Sequence, residues 1–124
     1  MHIVELSKSF HFEGAHHLPA VPKDHKCRGL HGHSYEVVVT VRGAVDPQSG
    51  WLMDFADIKA AMQPLSKLLD HKNLNLVEGL PNPTAEMLAV WLWQRLAPTL
   101  PGLHEIEIRE TTHSRCRYRG EQTE

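Results

Sequence analysis

Seven residues carry the chemistry most directly legible in this chain: Cys27-Arg28-Gly29-Leu30-His31-Gly32-His33. In extended backbone, residues two apart point to the same side, so His31 and His33 aim two imidazoles in one direction. Gly32 between them adds no side chain to crowd a bound ion. Two imidazoles on one strand make half a zinc site; a third ligand must come from elsewhere, and a vacant fourth position would make the site catalytic rather than structural. His16 and His17 are adjacent candidates for that third ligand, and periodicity does not choose between them. Cys27 is placed to be a fourth ligand or a reactive thiol beside the metal. It lies in a polar stretch with His25, Lys26 and Arg28, surroundings that suit a reactive thiol better than a buried structural one.

Two further groups invite a chemical reading. Asp70-His71 is either a histidine at a helix C-terminus beside a solvated aspartate, or a carboxylate orienting an imidazole for proton transfer. Glu110 either pairs with an arginine or offers its two oxygens to paired donors on a ligand edge. Its parity, shared with Ile106 and Ile108, favours the ligand. Cys116, between arginines in a strand-like run, reads as structural.

The elements that must hold these residues follow from periodicity. Phe10 and Phe12 alternate within Ser7–Glu13, predicting a first strand. Pro19, Pro22 and Gly29 then punctuate a segment too long for an ordinary connection, and long loops in compact domains commonly carry function. From His33 to Gly43, Tyr35, Val37, Val39 and Val41 share one face of a second strand, with His33 in their row. Asp54, as N-cap or first-turn acid, opens a helix whose apolar positions are Phe55, Ile58, Met62, Leu65 and Leu69. Pro64 inside that pattern predicts a kink or a division. Thr84 caps a second helix through Met87, Leu88, Trp91, Leu92 and Leu96, whose aromatic stripe at helical spacing reads as core. His104–Glu110 is a third strand and Arg115–Arg119 a short fourth. The order ββααββ predicts an α+β domain: a four-stranded antiparallel sheet with two helices on one face. Its exposed edges make self-association plausible.

Composition sets the outer bounds. A chain of 124 residues predicts one domain, residues 1–124. A formal charge of -2 gives no electrostatic reason to expect nucleic acid or an anionic membrane as partner. No apolar run approaches the ~20 residues that span a bilayer, and the N-terminus has no signal-peptide pattern. Two distant cysteines without a CxxC pair fit a reduced, cytoplasmic protein.

Several separated motifs, in order, resemble the 6-pyruvoyltetrahydropterin synthase superfamily. They are Phe12-Glu13-Gly14-Ala15-His16-His17-Leu18, Cys27 to Tyr35, Gly50-Trp51-Leu52-Met53-Asp54-Phe55, Leu69 to Asn75, Pro83-Thr84-Ala85-Glu86 and Arg109-Glu110-Thr111. The three residues between Cys27 and His31, and the closing Cys116-Arg117-Tyr118-Arg119-Gly120-Glu121, resemble the branch that makes 6-carboxytetrahydropterin for queuosine biosynthesis. The resemblance implies the tunnelling fold, in which subunits join their sheets, commonly as a hexamer. It implies zinc held by His16, His31 and His33. It implies Cys27 as base, His71 as its acid/base partner with Asp70 orienting it, and Glu110 anchoring a pterin. The implied substrate is 7,8-dihydroneopterin triphosphate, and the implied products are 6-carboxy-5,6,7,8-tetrahydropterin, acetaldehyde and triphosphate. Lys23, Lys26 and Arg28 are candidates for the phosphates. Two residues depart from the pattern: Ser34 stands where many relatives carry Asn, and Met87 follows Glu86 where Asn is frequent. The alternatives are the pyruvoyl-forming reaction, a non-catalytic zinc or pterin-binding module, and a histidine-rich metal buffer.

Overall fold

A computed structural model describes residues 1–123. The two long strands, β1 (Ile3–His16) and β2 (His31–Ala44), pair antiparallel without a slip along their whole length. Both outrun the alternation that predicts them. β1 continues through Gly14 and Ala15 to His16, and β2 begins at His31, so His16 stands directly opposite His31. Helix α1 (Phe55–Leu69) follows, with Asp54 Oδ1 accepting from the Ala56 N–H as its N-cap. Pro64 does not divide it. The proline is exposed and so is Ala60, whose carbonyl it deprives of a donor, so the missing bond lies on the solvent side of the helix.

Beyond α1 the chain adds a two-residue strand, β3 (Lys72–Asn73), paired parallel with Gly14 and Ala15. Helix α2 (Ala85–Leu96) is capped by Thr84 Oγ1, which accepts from Met87 N–H. Strands β4 (Leu103–Thr111) and β5 (Ser114–Tyr118) complete the sheet. The spatial order is β3-β1-β2-β4-β5. The expected four-stranded antiparallel sheet is therefore corrected to five strands in a mixed sheet. Two paired residues carry no periodicity from which β3 could be read.

Both helices pack on the sheet face carrying Phe12, Tyr35, Val37, Val39, Val41, Ile106 and Ile108. From the helices come Ile58, Met62, Leu65 and Leu69, and Leu88, Trp91, Leu92 and Leu96, so the aromatic stripe of α2 is core. Phe55 and Met87, counted in the helical stripes by spacing, are exposed in the first turns. The opposite sheet face is polar. Glu107 is buried there among arginines, with Arg109 Nε at 2.8 Å and Arg117 Nε at 2.9 Å.

Candidate functional site

The helix-side rows of three strands change character at the same end of the sheet. On β1 the row Phe10, Phe12, Gly14 ends at His16; on β2 the row Val37, Tyr35 ends at His33 and His31; on β4 Ile106 and Ile108 are followed by Glu110. The alternation that buries the core thus aims three imidazoles and a carboxylate into one region. One potential ligand atom from each of His16, His31 and His33 lies within 4.8 Å of the other two. The length of β1 decides between His16 and His17: His16 has the parity of Phe12 and is buried, and His17 does not join the cluster.

Hydrogen bonding shows that the cluster suits a cation. His16 Nδ1 lies 2.7 Å from the Pro83 carbonyl, and His31 Nδ1 lies 2.8 Å from the Gly29 carbonyl. A carbonyl only accepts, so both rings carry their proton on Nδ1 and, when neutral, present bare Nε2 lone pairs. Those two nitrogens are 3.1 Å apart. Facing lone pairs require a proton or a cation between them. Burial is the main influence holding His16 below the ordinary histidine value, and His31 and His33 add to it against the Pro83 carbonyl and Glu110. A shared proton is thereby disfavoured, and a metal ion suits three neutral imidazoles. The Tyr35 hydroxyl, 3.2 Å from His16 Nδ1, stays protonated because burial and then Glu110 push its pKa far up.

Gly32, His33 and Ser34 line two adjoining grooves of about 460 Å³ each, a size that suits a small-molecule ligand. One groove includes Glu13, His71 and Lys72; the other includes Arg109, Glu110 and Thr111. Glu110 Oε2 is 3.9 Å from His33 Nε2. Among the described residues no arginine pairs with Glu110. Its neighbour Arg109 points to the opposite face and engages Glu36 and Glu107. His71 follows the C-cap of α1 with a left-handed φ of 57°, held by a 2.6 Å bond from its N–H to the Glu13 carbonyl. Asp70 Oδ1 lies 3.7 Å from His71 Nε2, an ion-pair distance, and accepts from the Glu13 N–H at 3.0 Å.

Cys27 sits in a 3-10 turn, Lys26–Arg28, capped by His25, whose Nδ1 accepts from the Cys27 N–H. Its carbonyl accepts from Leu18 N–H, tying this turn to the chain just past His16. The sulfur is half-buried and is not a member of the three-histidine cluster. Lys23, Lys26 and Arg28 are exposed and line neither groove; Arg28 Nη1 donates to the Val21 carbonyl. Burial, with Glu86 and Glu110, raises the Cys116 thiol, consistent with an inert structural cysteine. A separate hollow of about 370 Å³ beside Trp91 and Arg95 contains none of the candidate catalytic or metal-binding residues.

Sequence reasoning missed four participants: the Pro83 carbonyl, Tyr35, Asn75 and Glu13. Pro83 and Tyr35 stand in the sequence as members of motifs, Tyr35 also in the apolar row of the second strand, with no role at the site attached to either. The one available signal was the position of Tyr35, two residues past His33 in the same row.

A family model described as 6-pyruvoyl tetrahydropterin synthase matches residues 5–121. A 6-carboxy-5,6,7,8-tetrahydropterin synthase from Synechocystis sp. is 43% identical over 119 residues, covering 91% of each chain. A 6-pyruvoyl tetrahydrobiopterin synthase from Homo sapiens is 39% identical over 99 residues, 73% of this chain and 67% of that one. Among solved structures, the 6-pyruvoyl tetrahydropterin synthase of Caenorhabditis elegans superposes with a TM-score of 0.89 at 30% identity, covering 98% of both chains. With the matched motifs spread from β1 to β5 around the three-histidine cluster, the chain belongs to the 6-pyruvoyl tetrahydropterin synthase family.

Proposed function

We propose that this chain is a zinc-dependent carbon–carbon lyase. It converts 7,8-dihydroneopterin triphosphate, with uptake of water, to 6-carboxy-5,6,7,8-tetrahydropterin, acetaldehyde and triphosphate, a step of queuosine biosynthesis. The observation that carries the reading is the meeting of His16, His31 and His33 beside two grooves that bring in His71 and Glu110. The choice of the carboxy-forming reaction rests on the Cys27-to-His31 spacing and on the 43% identity to the Synechocystis enzyme.

His16, His31 and His33 would hold the zinc through their imidazole nitrogens. Zinc, when bound, supplies Lewis-acid polarisation of the substrate's side-chain oxygens. Cys27 takes a carbon-bound proton of the substrate side chain, and His71 manages the hydroxyl proton, with Asp70 orienting it. Glu110 accepts hydrogen bonds from the 2-amino and ring N–H edge of the pterin, holding the reacting carbons in place. Its carboxylate is suited to that role because no arginine among the described residues competes for it. The outer edge of β1 is paired only at Gly14 and Ala15, which supports assembly through sheet edges into a homo-oligomer, here taken as a hexamer. No helix is long and apolar enough to cross a membrane. Two free cysteines fit a reducing, cytoplasmic setting.

The test is product identification with zinc-loaded protein and dihydroneopterin triphosphate. Acetaldehyde and a carboxylated pterin are expected in equal amounts. A product retaining its three-carbon side chain would replace this reading with the pyruvoyl-forming one, and zinc binding without any product would leave a binding module.

A further inference from the structure

We propose that Asn75 is a positioning residue for the metal-binding histidines, its side-chain amide serving as one more paired residue at the end of β1. The inference rests on reading the three histidines as a zinc site. Gly14 pairs with Lys72 and Ala15 with Asn73 in parallel register. Two residues further on, the backbone of 74–76 has turned into a 3-10 helix and can no longer pair as a strand. The Asn75 side chain takes over. Its Oδ1 accepts from the His17 N–H at 2.9 Å, and its Nδ2 donates to the His17 carbonyl at 2.9 Å. The same Nδ2 reaches the Pro81 carbonyl at 3.4 Å, on the approach to Pro83.

His16 is consequently gripped twice by the segment between α1 and α2. The main chain immediately after it is fixed by Asn75, and its ring is fixed by the Pro83 carbonyl at 2.7 Å. His31 and His33 share one long strand, and His31 has its own acceptor in Gly29. His16 is the ligand supplied from a separate strand, and it is the last residue of that strand. Without the Asn75 amide, both main-chain groups of His17 lose their partner and the end of β1 is free to fray. Asn75 itself is held in place by the buried Leu74 and by the Asn73 side chain, which accepts from the Asn75 N–H at 3.1 Å.

The experiment compares wild type, Asn75→Ala, Asn75→Asp and a control, Ser7→Ala, which removes a hydroxyl pair with Thr40 on the opposite sheet face. Zinc dissociation constants come from chelator competition, and amide hydrogen exchange at His17 is followed in the metal-free protein. Removing a group that orients a ligand typically weakens metal binding ~10–100-fold. Asn75→Ala is expected in that range, with faster exchange at His17. Asn75→Asp keeps the acceptor but loses the donor and is expected to fall between; it carries the comparison if the alanine variant does not fold. Ser7→Ala is expected to change neither readout. Zinc affinity of the Asn75 variants within twofold of wild type, or unchanged exchange at His17, overturns the proposal. A wild type that binds no zinc overturns the metal site instead, while exchange at His17 still tests the grip of Asn75 on β1.

Discussion

Glu107→Gln offers a measure of how the polar face of the sheet is held, and its outcome depends on pH in a defined sense. Glu107 is 5% exposed. Burial alone would raise its carboxyl, but hydrogen bonds from Arg117 and Arg109 outweigh burial and hold it below its ordinary value of 4.5. The amide of Gln retains one acceptor oxygen but turns an NH₂ toward a guanidinium, so one charge-assisted bond is lost. Arg117 is open to solvent, where water screens its charge, so the 2.8 Å bond from Arg109 Nε dominates. A hydrogen bond to a charged group contributes roughly 1.5–3 kcal/mol, and because Arg109 is one-third exposed we discount this to about 1–2 kcal/mol. For a chain of this size that corresponds to a fall in Tm of about 3–8 °C. A carboxyl with a depressed folded-state pKa stabilises the fold above its unfolded value and loses that contribution as pH falls through the folded value. The gap between wild type and variant should therefore be full at pH 7 and shrink below pH 4.5. Urea unfolding at fixed protein concentration and several pH values reads it directly. A gap that is absent at pH 7, or one that persists undiminished in acid, refutes the reasoning.

Three other outcomes are expected. Cys27→Ala should retain one zinc per chain by elemental analysis while turnover falls by ~10²–10⁴, the usual loss for a proton-transfer group; loss of zinc would make the sulfur a ligand. Gly14→Ala places a methyl 3.2 Å from both Phe12 and Tyr35, the stacked pair behind His16, and should cost about 1–3 kcal/mol by overpacking. Calorimetry that finds no destabilisation would show that this packing yields. Zinc at 100 times its dissociation constant should stabilise the chain by about 2.7 kcal/mol, seen as a zinc-dependent rise in Tm that His31→Ala abolishes; an equal rise in that variant would place the zinc elsewhere.

The parts of the site that share a strand were legible and those that depend on packing were not. His31 and His33 needed only the period of a strand, and Glu110 only its parity with Ile106 and Ile108. His16 was ambiguous because β1 passes through Gly14 and Ala15, two small residues that carry no alternation, before it ends. β3 was invisible for a related reason, since two paired residues are shorter than any period. The contacts of Pro83 with the His16 ring and of Asn75 with the main chain of His17 arise where residues 70–84 fold back on β1, a contact between distant segments with no local pattern. Glu107 reads from its parity as solvent-facing, and its burial comes from arginines on β4 and β5 lying beside it.

The location of the cluster follows from the same alternation that makes the core. The helices cover the sheet's apolar face along most of its length, and beyond them the rows continue with the same parity but different residue types. His16 and His33 therefore stand edge-on to Tyr35, at ring-centroid distances of 6.0 and 5.5 Å, Tyr35 itself stacks on Phe12 at 4.7 Å, and His33 opens onto the grooves on the other side. An apolar, close-packed backing restricts the rings and strengthens electrostatic interactions inside the site, while the open side admits a ligand. Because strand parity is binary, a one-residue slip of β2 against β1 would send His31 and His33 to the polar face and turn Ser34 and Glu36 toward the core. Fourteen uninterrupted pairs between β1 and β2 make that slip costly. The length of this hairpin, well beyond what the core requires, is thus explained by the end it must hold in register.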